Sequence, residues 1–147
     1  MKILVVDNDR LILDFLDTLL SNEGHEVMLA ENGLSALDVL KTNTPDIIFV
    51  DLVMPVISGE KLCRVIRSMP AHENLSIIIL SAIAAEQEID FPEMGANGCI
   101  VKGTLDEIGR QVLAAVDQSG STQPRSFSGG MLQLKRISTQ GITKELL

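Results

Sequence analysis

The stretch Asp46-Ile47-Ile48-Phe49-Val50-Asp51-Leu52-Val53-Met54-Pro55 decides the fold. Four residues, all β-branched or aromatic, run without polar interruption into one carboxylate, Asp51. Such a run fits a strand covered on both faces, as in a parallel sheet flanked by helices, better than an alternating, half-exposed strand. The pattern recurs. Ile3-Leu4-Val5-Val6 ends in Asp7-Asn8-Asp9, Ile77-Ile78-Ile79-Leu80 ends in Ser81, and Ile100-Val101 ends in Lys102. Polar groups thus collect at one end of the predicted sheet. In open parallel α/β sheets that end, near the point where strand order reverses, is where ligands bind.

Helical patterns fill the intervals. Ile12, Phe15, Leu16, Leu19 and Leu20 form the stripe of a core-facing helix after Asn8-Asp9, and Gly24 ends it. Glu26 to Ala30 reads as a short edge strand. Asn32 caps a second helix with Ala36, Leu37 and Leu40 inward, and Ser58 a third with Leu62, Val65, Ile66 and Met69 inward. A fourth helix over Ala84 to Ile89 is expected to be short or broken near Pro92, which lacks a backbone donor. Thr104-Leu105-Asp106-Glu107 has the spacing of a capping box and opens a fifth helix bearing Ile108, Val112 and Val116. Five strands alternating with five helices predict an α/β, doubly wound parallel sheet. The flavodoxin-like order 2-1-3-4-5 would set the Asp7 and Asp51 strands side by side at the switch point.

Composition narrows the function classes. The chain of 147 residues has room for one domain and an extension. Residues 1–118 read as that domain, 119–130 as a Ser/Gly-rich flexible linker, and 131–147 as a tail with too few apolar residues for its own core. The tail reads as the start of a helix leading to an output module absent from this chain. From Met1 to Asp117 there are 19 acidic and 8 basic residues, whereas Gln118 to Leu147 carries 4 basic and 1 acidic. An acidic body without Trp or Tyr argues against nucleic acid or an anionic membrane as partner of this domain. Cys63 and Cys99 lack metal-site spacing and read as free thiols suited to the cytoplasm, and His25 and His72 as surface or strand-edge residues.

These motifs, taken in order, resemble the receiver domain of two-component response regulators, from Met1 to about Gln118. The resemblance rests on the acidic cluster after the first strand, Asp51 followed by Met54-Pro55 and Gly59, Ser81-Ala82 after the fourth strand, and Lys102 after the fifth. It implies a signalling switch rather than an enzyme: Asp51 accepts a phosphoryl group from a sensor histidine kinase, with Mg2+ held by Asp7, Asn8, Asp51 and the Val53 carbonyl. Lys102 would pair with a phosphoryl oxygen and, at rest, with Asp51; Ser81 would hydrogen-bond another oxygen and report the modification. An output domain in a longer chain, and a homodimer through the fourth helix, fifth strand and fifth helix, are further implied partners.

The chain departs from the family pattern at several positions. Asn8 stands where a second acid is usual, with Asp9 as the residue that would compensate by turning inward. Cys99 replaces an aromatic switch residue. Gly103 follows Lys102 where Pro is common, so this peptide is expected to be trans, with Gly103 giving the loop freedom. Val53 and Ile83 are apolar where polar residues would help water attack the acyl phosphate, so slow hydrolysis is expected. The alternative reading is a pseudo-receiver, a binding module working without phosphorylation. Two enzyme readings fit worse: a flavodoxin needs hydroxyls and glycines where this chain has an acidic loop, and a haloacid-dehalogenase-type phosphatase needs an Asp in place of Val53.

Overall fold

The computed structural model describes residues 1–82 and 89–120. Its elements alternate along the chain: β1 (Lys2–Val6), α1 (Arg10–Asn22), β2 (Glu26–Ala30), α2 (Gly33–Thr42), β3 (Ile47–Asp51), α3 (Gly59–Arg67), a single 3-10 turn (Pro70–His72), β4 (Ser76–Ser81), α4 (Phe91–Met94), β5 (Gly98–Val101) and α5 (Leu105–Ser119). The five strands are parallel and ordered β2-β1-β3-β4-β5, as expected. Every residue of β3 and β4 is buried, which is why their sequences show no polar alternation.

Side chains of successive strand residues point to opposite faces, and the core accordingly splits in two. Leu4, Val6, Ile48, Val50, Ile77, Ile79 and Cys99 pack with α2, α3 and α4. Ile3, Val5, Ile47, Phe49, Ile78, Leu80 and Ile100 pack with α1 and α5. Cys63 lies in the first layer, where burial pushes its thiol up to about 12 despite Arg67 and Arg64 nearby. It behaves as a small hydrophobe.

The helix caps follow the sequence signals. Asn32 Oδ1 accepts from Ser35 N–H at 2.8 Å, and Ser58 Oγ from Lys61 N–H at 3.2 Å. Thr104 and Glu107 close a complete capping box. The fourth helix is a single turn, as the proline suggested, though Pro92 sits inside its first turn, where no donor is needed, rather than ending it. The expectation over Ala84 to Ile89 falls, apart from Ile89, outside the described residues. Helix α5 takes in Ser119, and the rest of the predicted linker and tail also lies outside them. Among the described residues no helix is long and apolar enough to cross a membrane.

His72 corrects the reading of a surface residue. It is buried, and its Nε2–H donates to the Leu40 carbonyl at 2.9 Å. That carbonyl is among the last of α2, which have no acceptor role within the helix, so the ring satisfies a group that burial would otherwise leave unpaired. Nothing local in the sequence could show this, because the partner is 32 residues away.

The β3–α3 loop is tightly constrained. Gly59 donates to the Leu52 carbonyl at 2.8 Å, and a Cβ on it would lie 2.8 Å from Leu52 Cα and closer still to the Asp51 carbonyl oxygen. Close approach, not flexibility, requires glycine here. Val56 is the one non-glycine residue with positive φ among those described, at 70°, and its side chain is 87% exposed. A β-branched residue in the left-handed region is strained by about 1–2 kcal/mol, with no burial to offset it. Val56→Gly is therefore expected to raise the unfolding free energy by about 1 kcal/mol, less the extra entropy of the unfolded glycine. Urea denaturation checks this, and a loss of stability would contradict the assigned strain.

Candidate functional site

Sheet register brings the predicted residues together. Val6 pairs with Val50, so Asp7 and Asp51, each next in its strand, emerge side by side on adjacent strands. Ser81 pairs with Val101, and the following Lys102 N–H donates to the Ser81 carbonyl at 3.0 Å. Both carboxylates are buried, Asp7 fully and Asp51 to 6% exposure. The Lys102 side chain reaches back from the end of β5 and places Nζ 2.8 Å from Asp7 Oδ2 and 3.2 Å from Asp51 Oδ1.

The two contacts differ in kind. Lys102 donates a hydrogen bond to Asp51 Oδ1. Its closer approach to Asp7 Oδ2 is off the line of a hydrogen bond, so that fully buried oxygen has a positive charge beside it but no aligned donor. Asp7 Oδ1 accepts from Asp9 N–H at 2.8 Å, and the Val53 N–H supports the Asp51 carboxylate. The sequence pointed to a Lys102–Asp51 pair and missed that Asp7 is the nearer partner. Only the register and the reach of the lysine decide that.

Two carboxylates sharing one ammonium leave the site with excess negative charge. Burial, and then the Asp7 charge, push the Asp51 carboxyl above its usual 3.8, with Lys102 opposing them. Burial alone would lower the Lys102 ammonium, but Asp7 and Asp51 together outweigh it and hold it above its usual 10.5. It stays charged throughout the physiological range.

The remaining candidates sit around this triad. Ser81 is buried at the end of β4. Asn8 is exposed at the rim, and Val53 is 62% exposed. Asp9 does not turn inward: its side chain caps α1, Oδ1 accepting from Leu11 N–H at 3.0 Å. An extended N-cap aims its carboxylate at the helix, so compensation for Asn8 is not available from this conformation. Cys99 lies on β5 in the layer holding Phe91 and Met94. The Lys102–Gly103 peptide is trans, as expected.

Among the described residues no cluster of three or more His, Cys, Asp or Glu could by itself hold a metal ion. Two carboxylates with neutral oxygens nearby would suit a hard cation that keeps several waters, such as Mg2+, rather than one caged entirely by protein. The buried Asp7 Oδ2, which has Lys102 beside it but no hydrogen-bond partner, is an oxygen with lone pairs left for a cation.

Two outcomes follow from the charge balance. Lys102→Met leaves two buried carboxylates facing each other and should cost about 3 kcal/mol of stability at neutral pH, by denaturant unfolding. Asp51→Asn should act oppositely. Because the folded carboxyl titrates above its unfolded value of 3.8, the folded chain binds the extra proton, and stability falls as pH rises through that window. The ionised Asp51 is thus unfavourable at pH 7. The asparagine variant should unfold at higher denaturant than the wild type there, and the difference should vanish once the pH drops below the unfolded carboxyl's range.

Comparison with known proteins agrees with this geometry. A family model, the response regulator receiver domain, matches residues 3–113. Response regulator MprA of Mycobacterium bovis is 39% identical over 148 aligned residues, covering 99% of this chain and 62% of that protein. The same regulator from Mycobacterium sp. strain KMS is 41% identical over 81 residues, 55% of this chain and 34% of its own, so the chain spans only part of the curated relatives it matches. Among solved structures, chemotaxis response regulator CheY4 of Vibrio cholerae superposes with a TM-score of 0.69 at 27% identity, covering 78% of this chain and 97% of that one. Response regulator TrrA of Thermotoga maritima, solved in complex with Mg2+ and BeF, gives 0.65 at 32% identity, covering 77% and 96%. With the receiver-domain model spanning residues 3–113 and the sheet in the matching order, this chain belongs to the response regulator receiver domain family of two-component signalling.

Proposed function

We propose that Asp51 is the phosphoacceptor of a signalling switch driven by a sensor histidine kinase. The observation that carries this is the Lys102 ammonium lying between Asp7 and Asp51 at the carboxyl end of the sheet. An Asp51 carboxylate oxygen attacks the phosphorus of a phosphohistidine, the phosphorus–nitrogen bond breaks, and the imidazole leaves with the electron pair. Little covalent help is needed, because the demand in such a transfer is for charge neutralisation and alignment. Lys102 answers part of it by following the new charge on the phosphoryl oxygens, and the buried Ser81 hydroxyl supplies a hydrogen bond to another. Asp7, Asp51, the Asn8 amide oxygen and the Val53 carbonyl would hold Mg2+, which supplies the rest of the neutralisation when bound.

The role is regulatory, with self-catalysed transfer and slow loss of the group rather than turnover of a separate substrate. Val53 offers no polar group to an attacking water, which supports a long-lived acyl phosphate. The alignment of nearly the whole chain with MprA, itself the longer protein, supports a further output module after the tail. The acidic body disfavours nucleic acid as a partner of this domain, and a cytoplasmic setting accords with its thiols and kinase partner. Nothing in the geometry specifically favours a contact module that never receives a phosphoryl group. A homodimer through α4, β5 and α5 is the assembly the family suggests, and a shift in sedimentation on activation would test it.

Incubation with acetyl phosphate and Mg2+ is expected to add one phosphoryl mass to the native chain and none to Asp51→Asn, read by intact mass. The adduct should persist for minutes or longer; decay within seconds would overturn the role given to Val53. Absence of any adduct at high Mg2+ would favour the contact module. Asn8→Asp should tighten Mg2+ binding by about tenfold, since it adds a charge to a site governed by charge count.

A further inference from the structure

Lys102 can bridge two carboxylates only if the β5–α5 connection holds its backbone still. On one side the β4 ladder does this through the Lys102 N–H to Ser81 carbonyl bond. On the other side two residues, Gly103 and Thr104, separate it from α5. Glycine at 103 was expected to loosen this loop, yet its φ is not in the left-handed region. Its role is spatial. A Cβ at 103 would run into the Glu107 carboxylate, with Cδ only 3.3 Å away. That carboxylate accepts from the Thr104 N–H at 2.9 Å, while Thr104 Oγ1 accepts from the Glu107 N–H at 3.1 Å. The missing side chain is what lets the helix cap close directly against the residue after Lys102.

We propose that Glu107 is a positioning residue for Lys102: its carboxylate, admitted by Gly103, closes the Thr104 cap and fixes the second end of the lysine's backbone for phosphoryl transfer. In this chain the cap does the work that a rigid proline after the lysine would do. The inference rests on the phosphoacceptor reading for its consequence, but not for its geometry. Glu107 touches no reacting group, is not among the residues that would hold Mg2+, and acts only through Lys102.

Three single variants and one double variant test it. Glu107→Ala removes the acceptor, Glu107→Gln keeps an oxygen that can accept from Thr104 N–H, and Gly103→Ala expels the carboxylate from the other side without altering it. Two quantities are read: amide hydrogen exchange at Lys102, with Ile79 in the sheet centre as internal reference, and the rate of adduct formation with acetyl phosphate. Glu107→Ala and Gly103→Ala are expected to speed Lys102 exchange relative to Ile79 by about tenfold and to slow phosphorylation by about tenfold, with unchanged Mg2+ affinity. Glu107→Gln should restore both, and the Gly103→Ala/Glu107→Ala pair should be no worse than Glu107→Ala alone. Wild-type exchange and rate in Glu107→Ala would overturn the proposal, as would a glutamine variant as slow as the alanine. If the native chain takes no phosphoryl group, the phosphoacceptor reading fails separately, and Lys102 exchange alone decides whether Glu107 positions the lysine.

Discussion

One ammonium shared by two buried carboxylates is the constraint on which the carboxyl end of this sheet depends. Asp7 is fully buried, and its partner across the strand is nearly so. Isolated, either charge would be expelled or neutralised; together without Lys102 they would repel at close range in a medium that screens poorly. The lysine makes the arrangement tolerable without balancing it. Two carboxylates against one ammonium leave the carboxyl end of the sheet short of positive charge, with the Asp7 oxygen lacking an aligned donor.

The surrounding loops are shaped to keep that triad in register. Leu52 is tied to β4 through the Leu80 carbonyl and to α3 through Gly59, so the residue after Asp51 is held from both sides. The strained Val56 lies in the same turn, and both it and Val53 are exposed. Far from the site, Arg67 ties the other end of the molecule together. Its guanidinium donates to the Gly95 carbonyl at 2.7 Å, the Glu73 carbonyl at 3.1 Å and Asn97 Oδ1 at 2.9 Å, anchoring the segment between the single-turn α4 and β5. Gly95 itself ends α4 with φ of 94°. A segment so short needs such anchoring, because one helical turn contributes little packing of its own.

Much of this was legible in the chain. Apolar runs ending in Asp7, Asp51, Ser81 and Lys102 expose the strands and the functional edge together, because a strand buried on both faces has no other place for polar groups. Caps at Asn32, Ser58 and Thr104 were legible for the same local reason: a side-chain acceptor meets a backbone donor two or three residues on. Within the Asp7-Asn8-Asp9 loop the structure divides the roles, with Asp9 capping α1 and Asp7 facing Lys102.

By itself, then, the sequence determined the class of fold and which residues end each strand, since these follow from periodicity, and it left the strand order among the few topologies that right-handed crossovers permit. The tertiary structure decided what those residues do to one another. The nearer partner of Lys102, the burial of His72 against Leu40, and the closure of Glu107 over Gly103 depend on distances across strands or within a tight turn. Periodicity encodes which face a residue occupies, but such distances arise only when register, twist and side-chain reach act together in the folded chain.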